Sequence, residues 1–125
     1  MFKLVISLKD NKIIISGSLD KLKLLNGYEF DWIPMKGIHE NEGHDIGIIA
    51  QEVEKVVPEV VKQQSNGYLT VDYAKLVPIL VGALQEHDQT ITSLNAQLKN
   101  LQKENEDMKA DLKAIKERLG LGGKP

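Results

Sequence analysis

His39, Glu40, Glu42, His44 and Asp45 crowd one short stretch of the chain. Imidazole nitrogens and carboxylates are the donors that zinc takes. Here they stand in a glycine-containing segment without the i, i+4 spacing that would put two ligands on one helical face. A solvated loop is therefore the simpler reading, and no metal or cofactor is expected. Tyr28, Phe30 and Trp32 alternate with Glu29 and Asp31. That period of two puts three rings on one face of a strand. Such rings could stack on bases or sugars, but the chain has few other large residues, so they are expected to fill a small core under the sheet. Gly120, Leu121, Gly122, Gly123 and Lys124 have the composition of a phosphate loop. The context is wrong for one, because no strand precedes them and no helix follows. The absence of cysteine rules out disulfides, thiolate metal sites and cysteine nucleophiles.

The elements that must position any site come from 125 residues, one domain's worth of chain. Sixteen basic residues against 18 acidic ones leave a net charge of −2. With no basic excess to neutralise phosphates, nucleic acid is not an expected partner. No apolar run approaches the ~18 residues of a membrane span, so no membrane partner is expected either. The opening apolar run (Phe2, Leu4, Val5, Ile6) is too brief for a signal-peptide core.

Residues 2–8 and 12–16 are β-prone and predict two strands, turned at Lys9, Asp10 and Asn11. Ser18 is a candidate N-cap for a short helix over residues 19–25, ended by Asn26 and Gly27. A strand follows over residues 28–32, then a polar loop over residues 34–45. Ile46, Gly47, Ile48 and Ile49 form a short buried run. Residues 50–57 predict a helix with Ile49, Val53, Val56 and Val57 on one side. Pro58 ends it, because the residue before proline is pushed out of the helical region. Val60 and Val61, and then residues 68–71, read as strands joined by a hairpin at Ser65, Asn66 and Gly67. Asp72 caps a long helix, and Pro78 in its first turns is expected to kink it.

That long helix carries the strongest pattern. Val77, Leu84, Ile91, Leu98, Asn105, Leu112 and Leu119 recur every seven residues, with Leu80, His87, Leu94, Leu101, Met108 and Ile115 between them. These are the a and d positions of a heptad repeat. A seam this narrow needs other helices beside it, so the chain reads as an oligomer. Mixed Leu and Ile at both positions leave dimer, trimer and tetramer open. Asn105 either fixes register or is a tolerated polar defect. His87 is either a pH-sensitive or ion-binding element or a solvated residue where the bundle splays. Glu86, Glu104 and Glu106, with Lys99, Lys103, Lys109, Lys113 and Lys116, fall mostly on flanking faces as a salt-bridged surface. The helix would be roughly 70 Å long, which suits an alignment device better than a pocket.

From His44 to Val61 the chain reads HDIGIIAQEVEKVVPEVV, followed by Tyr68, Val71-Asp72-Tyr73, Leu76 and the heptads. This resembles the C-terminal intramolecular chaperone domain of phage tailspikes, tail fibres and endosialidases, which also occurs in the myelin regulatory factor of animals. The G-I-I-A-Q-E-V-E-x-V-x-P-E-V-V core with a downstream V-D-Y-x-x-L-V-P is specific. Leu19-Asp20-Lys21-Leu22 and residues 25–32 are similar to the family's early helix and strand, so the resemblance covers about residues 7–105. It implies an α+β fold: a small β-rich head with short helices over residues 1–72, a long coiled-coil helix over residues 73–119, and a tail over residues 120–125, assembled as a trimer. It implies that the partners are two further copies and an upstream β-helical fibre or spike of the same polypeptide. Three chains held in register by a terminal clamp raise the local concentration of strands whose non-local pairing is otherwise slow. The resemblance also places the work in the cytoplasm of an infected bacterial host during virion assembly.

The family cuts itself at a serine that opens a Ser-Asp-x-x-x-Lys element, with the serine as nucleophile and the lysine as base. Ser7 and Lys12 match that spacing, and Ile15 matches the following apolar position. Leu8 stands where the family has aspartate, and Lys9-Asp10-Asn11 departs from its basic-Leu run. Ser18 and Lys23 share the spacing but fall in the segment that aligns as helix. The alternatives are a non-cleaving coiled-coil trimerisation or adaptor module, and a self-processing protease that releases an upstream effector.

Overall fold

The computed structural model describes residues 8–120. Two compact units divide the chain, Met1–Glu86 and His87–Pro125. The first takes in the opening turns of the long helix as part of the head.

Residues 8–16 carry no helix or strand. Ile13, Ile14 and Ile15 are β-branched, but a strand needs a partner, and no described residue pairs with them. Ile13 and Ile14 are each 88% exposed. The strand expected over residues 12–16 is thus absent, and residues 2–7 of the other expected strand lie outside the described residues. A short helix, α1, runs Ser18–Leu22. Its N-cap is Gly17, in the left-handed region, and makes no side-chain cap. Ser18 is the first helical residue, not the cap.

Strand β1, Tyr28–Asp31, pairs antiparallel with β2, His44–Gly47, in the register Tyr28 to Gly47 and Asp31 to His44. The end of the expected polar loop is therefore a strand. Between them Met35 and His39 close a small turn through an isolated bridge. Ile46, expected in a buried run, is 72% exposed.

Helix α2, Ala50–Val56, stops just before Pro58, which opens a 3-10 turn over Pro58–Val60. Strands β3, Val61–Gln63, and β4, Leu69–Val71, form the expected hairpin. The Asn66 side chain accepts from the Tyr68 amide (3.0 Å), and the Gly67 amide donates to the Gln64 carbonyl (2.9 Å). Helix α3 runs Tyr73–Arg118 without interruption through Pro78. The Asp72 carboxylate caps it by accepting from the Ala74 amide at 3.1 Å.

The head's core is Val53, Val57, Val60, Leu76 and Ile79, with Leu22, Leu25, Ile48, Val56, Val61 and Val71 packed around it. One face of α2, the 3-10 turn and the first turns of α3 thus meet at branched aliphatic side chains. Each side chain fully withdrawn from water contributes about 1.5–3 kcal/mol. The three rings expected to form a core do not: Phe30 and Trp32 are half-buried and Tyr28 is exposed.

In the second unit every described residue, from His87 to Gly120, is exposed. The helix closes with the Leu119 amide donating to the Ile115 carbonyl and the Gly120 amide to the Glu117 carbonyl.

Candidate functional site

The family-like motif forms a connected piece of the head. Gly47 sits where a Cβ would lie 3.0 Å from the Tyr73 hydroxyl and 3.3 Å from a Phe30 ring carbon. A Cβ there would have to push the Tyr73 and Phe30 side chains back by a few tenths of an ångström. The Tyr73 hydroxyl accepts from the Ile48 amide at 3.3 Å, so the start of α3 is tied to the chain leaving β2. The Tyr28 hydroxyl donates to Glu52 Oε1 (3.0 Å), tying β1 to α2. That bond to a carboxylate raises the phenol's pKa above its ordinary value. The conspicuous residues of the motif therefore hold the head's elements to one another.

Of the proposed dyad, Ser7 lies outside the described residues. Lys12 is exposed in the irregular segment leading to α1. Leu8, in the position of the family's aspartate, is 96% exposed. The second serine at the same spacing, Ser18, is fully buried, whereas Lys23 is exposed at the C-cap of α1.

The His and carboxylate residues of the 39–45 stretch take separate partners. His39 Nε2 donates to the Ile33 carbonyl (2.9 Å) while its Nδ1 accepts from the Asn41 amide (3.0 Å). His44 reaches across the β1–β2 pair, with Nδ1 2.9 Å from Asp31 Oδ1 and Nε2 3.4 Å from Glu29 Oε1. Asp31 first, then Glu29, raises the His44 pKa above its ordinary value. Asp45 accepts from its neighbouring Ile46 amide and from Trp32 Nε1 (3.0 Å), and these bonds lower its pKa. No group of three or more metal-ligating side chains converges among the described residues. The Phe30 and Trp32 rings meet edge to face at 5.1 Å, and Trp32 also tilts against His39 at 5.0 Å.

The apolar heptad positions are exposed in each unit. In the head unit Val77, Leu80 and Leu84 are 54–70% exposed, beside the buried Leu76 and Ile79 on the other face of the same helix. In the second unit Ile91, Leu94, Leu98, Leu101, Met108, Leu112 and Ile115 are 44–64% exposed. His87 and Asn105 are exposed as well. No helix of the described residues is long and apolar enough to cross a membrane.

Sequence reasoning missed one packed contact. Glu86, assigned there to a solvated flank, accepts from the backbone amide of Ser18 at 3.0 Å. A Cβ on Gly82 would lie 2.9 Å from Ser18 Oγ. The one available signal was a glycine one helical turn before a glutamate in an otherwise regular helix.

Comparison with known proteins agrees with the motif. Residues 6–62 match the profile of the family described as chaperone of endosialidase. Over those residues the chain is similar to the chaperone-of-endosialidase family. Among curated proteins, the chain is 30% identical over 94 residues to the long tail fiber protein Gp37 of Enterobacteria phage M1. The aligned part is 71% of this chain and 37% of that relative, so the chain matches little more than a third of the fibre protein's length.

Proposed function

We propose that this chain is an intramolecular chaperone that trimerises through α3, registers an upstream phage tail fibre or spike for folding, and is then released by autoproteolysis at Ser7. The observation that carries the reading is the exposed heptad seam. Apolar side chains at a and d on a helix with no buried residue beyond Glu86 need partners, and identical chains bring the same seam. The family match and the tail-fibre relative support the choice of client. The setting is the cytoplasm of the infected bacterial host during virion assembly.

In the cleavage step Lys12 takes the Ser7 hydroxyl proton, and Ser7 Oγ attacks the carbonyl carbon of Ile6. The bond from that carbon to the Ser7 nitrogen breaks, and the nitrogen leaves with a proton as a free amine. Water then hydrolyses the resulting ester, so the net change is one peptide bond and one water giving a carboxylate and an amine. Release makes assembly one-way, because a fibre without its clamp has no short route back.

A second reading, a non-cleaving trimerisation module, is favoured by Leu8 in place of the family's aspartate. A denaturing gel of the chain with its native upstream segment, wild type against Ser7→Ala, decides between them. Cleavage in the wild type alone is the expected result. Uncut material from both leaves the non-cleaving module.

A further inference from the structure

The flanks of the heptad seam divide by charge near its C-terminal end. Asn105, Met108, Leu112 and Ile115 hold the a and d places there. Around a heptad helix, e and b lie on one side of the seam and g and c on the other. Glu104, Asp107 and Asp111 occupy g, c and g, while Lys109, Lys113 and Lys116 occupy e, b and e. Glu106, at b, is the one acid on the basic flank of this stretch. All of these side chains are exposed.

A lone helix gains little from this arrangement. Opposite charges three or four residues apart stabilise a helix, and like charges there destabilise it. Glu104 and Asp111 have no basic residue at either spacing, and both have Asp107 there. Lys116 has no acidic residue at either spacing, and has Lys113 there. Lys109 has Lys113 four residues on, set against Glu106 three residues before. Among the described residues, none of the six side chains on the two flanks makes a hydrogen bond or ion pair within the chain.

A second copy supplies the missing partners in one orientation. In parallel helices the g residue of one faces the e residue five places on in the next. Glu104 then meets Lys109, and Asp111 meets Lys116. An antiparallel copy sets g against g and e against e, which is acid on acid and lysine on lysine. A slip of one heptad between two parallel helices loses half of the pairs. It also sets Asn105 against Leu98 and Leu112, where a buried amide has no polar partner.

We propose that residues 104–116 are an orientation and register lock: Glu104 and Asp111 of one copy pair with Lys109 and Lys116 of the next, so that α3 accepts another copy only in the same direction and unshifted. The inference rests on the association through α3 proposed above, and the pairing is the same for any strand number.

The test uses the full chain, in sedimentation over a dilution series and in disulfide cross-linking. The sequence has no cysteine, so Leu119→Cys introduces a unique thiol at a residue still hydrogen-bonded to the end of the helix. A disulfide needs Cα atoms within about 7 Å. A one-heptad slip separates them by about 10 Å along the axis, and an antiparallel copy by far more. Oxidation of the dilute folded protein is expected to give a two-chain band on a denaturing gel, lost when urea precedes the oxidant. Lys109→Glu with Lys116→Glu is expected to raise the concentration of half-dissociation by about tenfold to about a hundredfold. Adding Glu104→Lys and Asp111→Lys to that chain restores every pair with its signs exchanged. It is expected to return the concentration to within about threefold of wild type. General damage to the helix would not be repaired by two further charge reversals. An oligomer without the two-chain band, wild-type dissociation in the doubly reversed chain, or no recovery in the fourfold exchange overturns the lock and leaves association standing. A wild type that sediments as one chain overturns the association and the lock with it.

Discussion

The head and the heptad helix solve the same problem in opposite ways. The head turns Val53, Val57, Val60, Leu76 and Ile79 toward one another and is closed within a single chain. The helix beyond Glu86 buries nothing, although its a and d positions are apolar apart from His87 and Asn105. An isolated helix gains little from propensity alone; tertiary packing of an apolar face supplies most of its stability. One region therefore buries its apolar side chains within the chain, and the other leaves them for the partner helices proposed above. Helix α3 belongs to both, packing Leu76 and Ile79 inward while Val77, Leu80 and Leu84 face out.

The largest effect expected from this contrast is on assembly. Leu98→Asp puts a charge into a seam that partner helices would dehydrate. The oligomer is expected to dissociate at micromolar concentration, with helical content falling as the seam loses its partners. An unchanged mass would mean that the heptad phase is misassigned. Leu76→Ala attacks the other region. It is expected to destabilise the head by about 2–5 kcal/mol while the oligomer mass stays the same. Loss of the oligomer with it would show that the two regions are not independent. Asp72→Ala removes the carboxylate that caps α3, and a loss of about 0.5–2 kcal/mol is expected in denaturant titrations.

The smallest effect is one of pH. His44 has its pKa raised in the folded head by Asp31 and Glu29. Its contribution is complete below the unfolded value of about 6.5 and fades as pH rises through the higher folded value. The head's melting temperature is expected to fall slightly across that window, and to stay flat there in His44→Gln. The pair is exposed, so added salt should shrink the difference. A His44 titration at or below the ordinary histidine value would contradict the raised pKa.

Features governed by local chemistry were legible in the sequence. Pro58 stopped α2, Asn66 and Gly67 turned the β3–β4 hairpin, Asp72 capped α3, and the heptads ran to the end of the helix. Features that depend on a distant partner were not. His44 to Gly47 has no strand-like alternation and becomes a strand only because β1 lies beside it. Ile13 to Ile15 has strong β propensity and no described partner, so it stays unpaired. Ser18 looked like a cap, but its place is set by Gly82 and Glu86, more than 60 residues away. For the same reason the spacing of Ser7 and Lys12 was legible, whereas the bond from the Ser18 amide to Glu86 was not.

Sedimentation equilibrium of the intact chain at micromolar concentration tests the central claim most directly. The account predicts a single species of three times the 14.0 kDa chain mass, with exposed seams turned toward one another. A stable, well-folded species of one or two chains would contradict it.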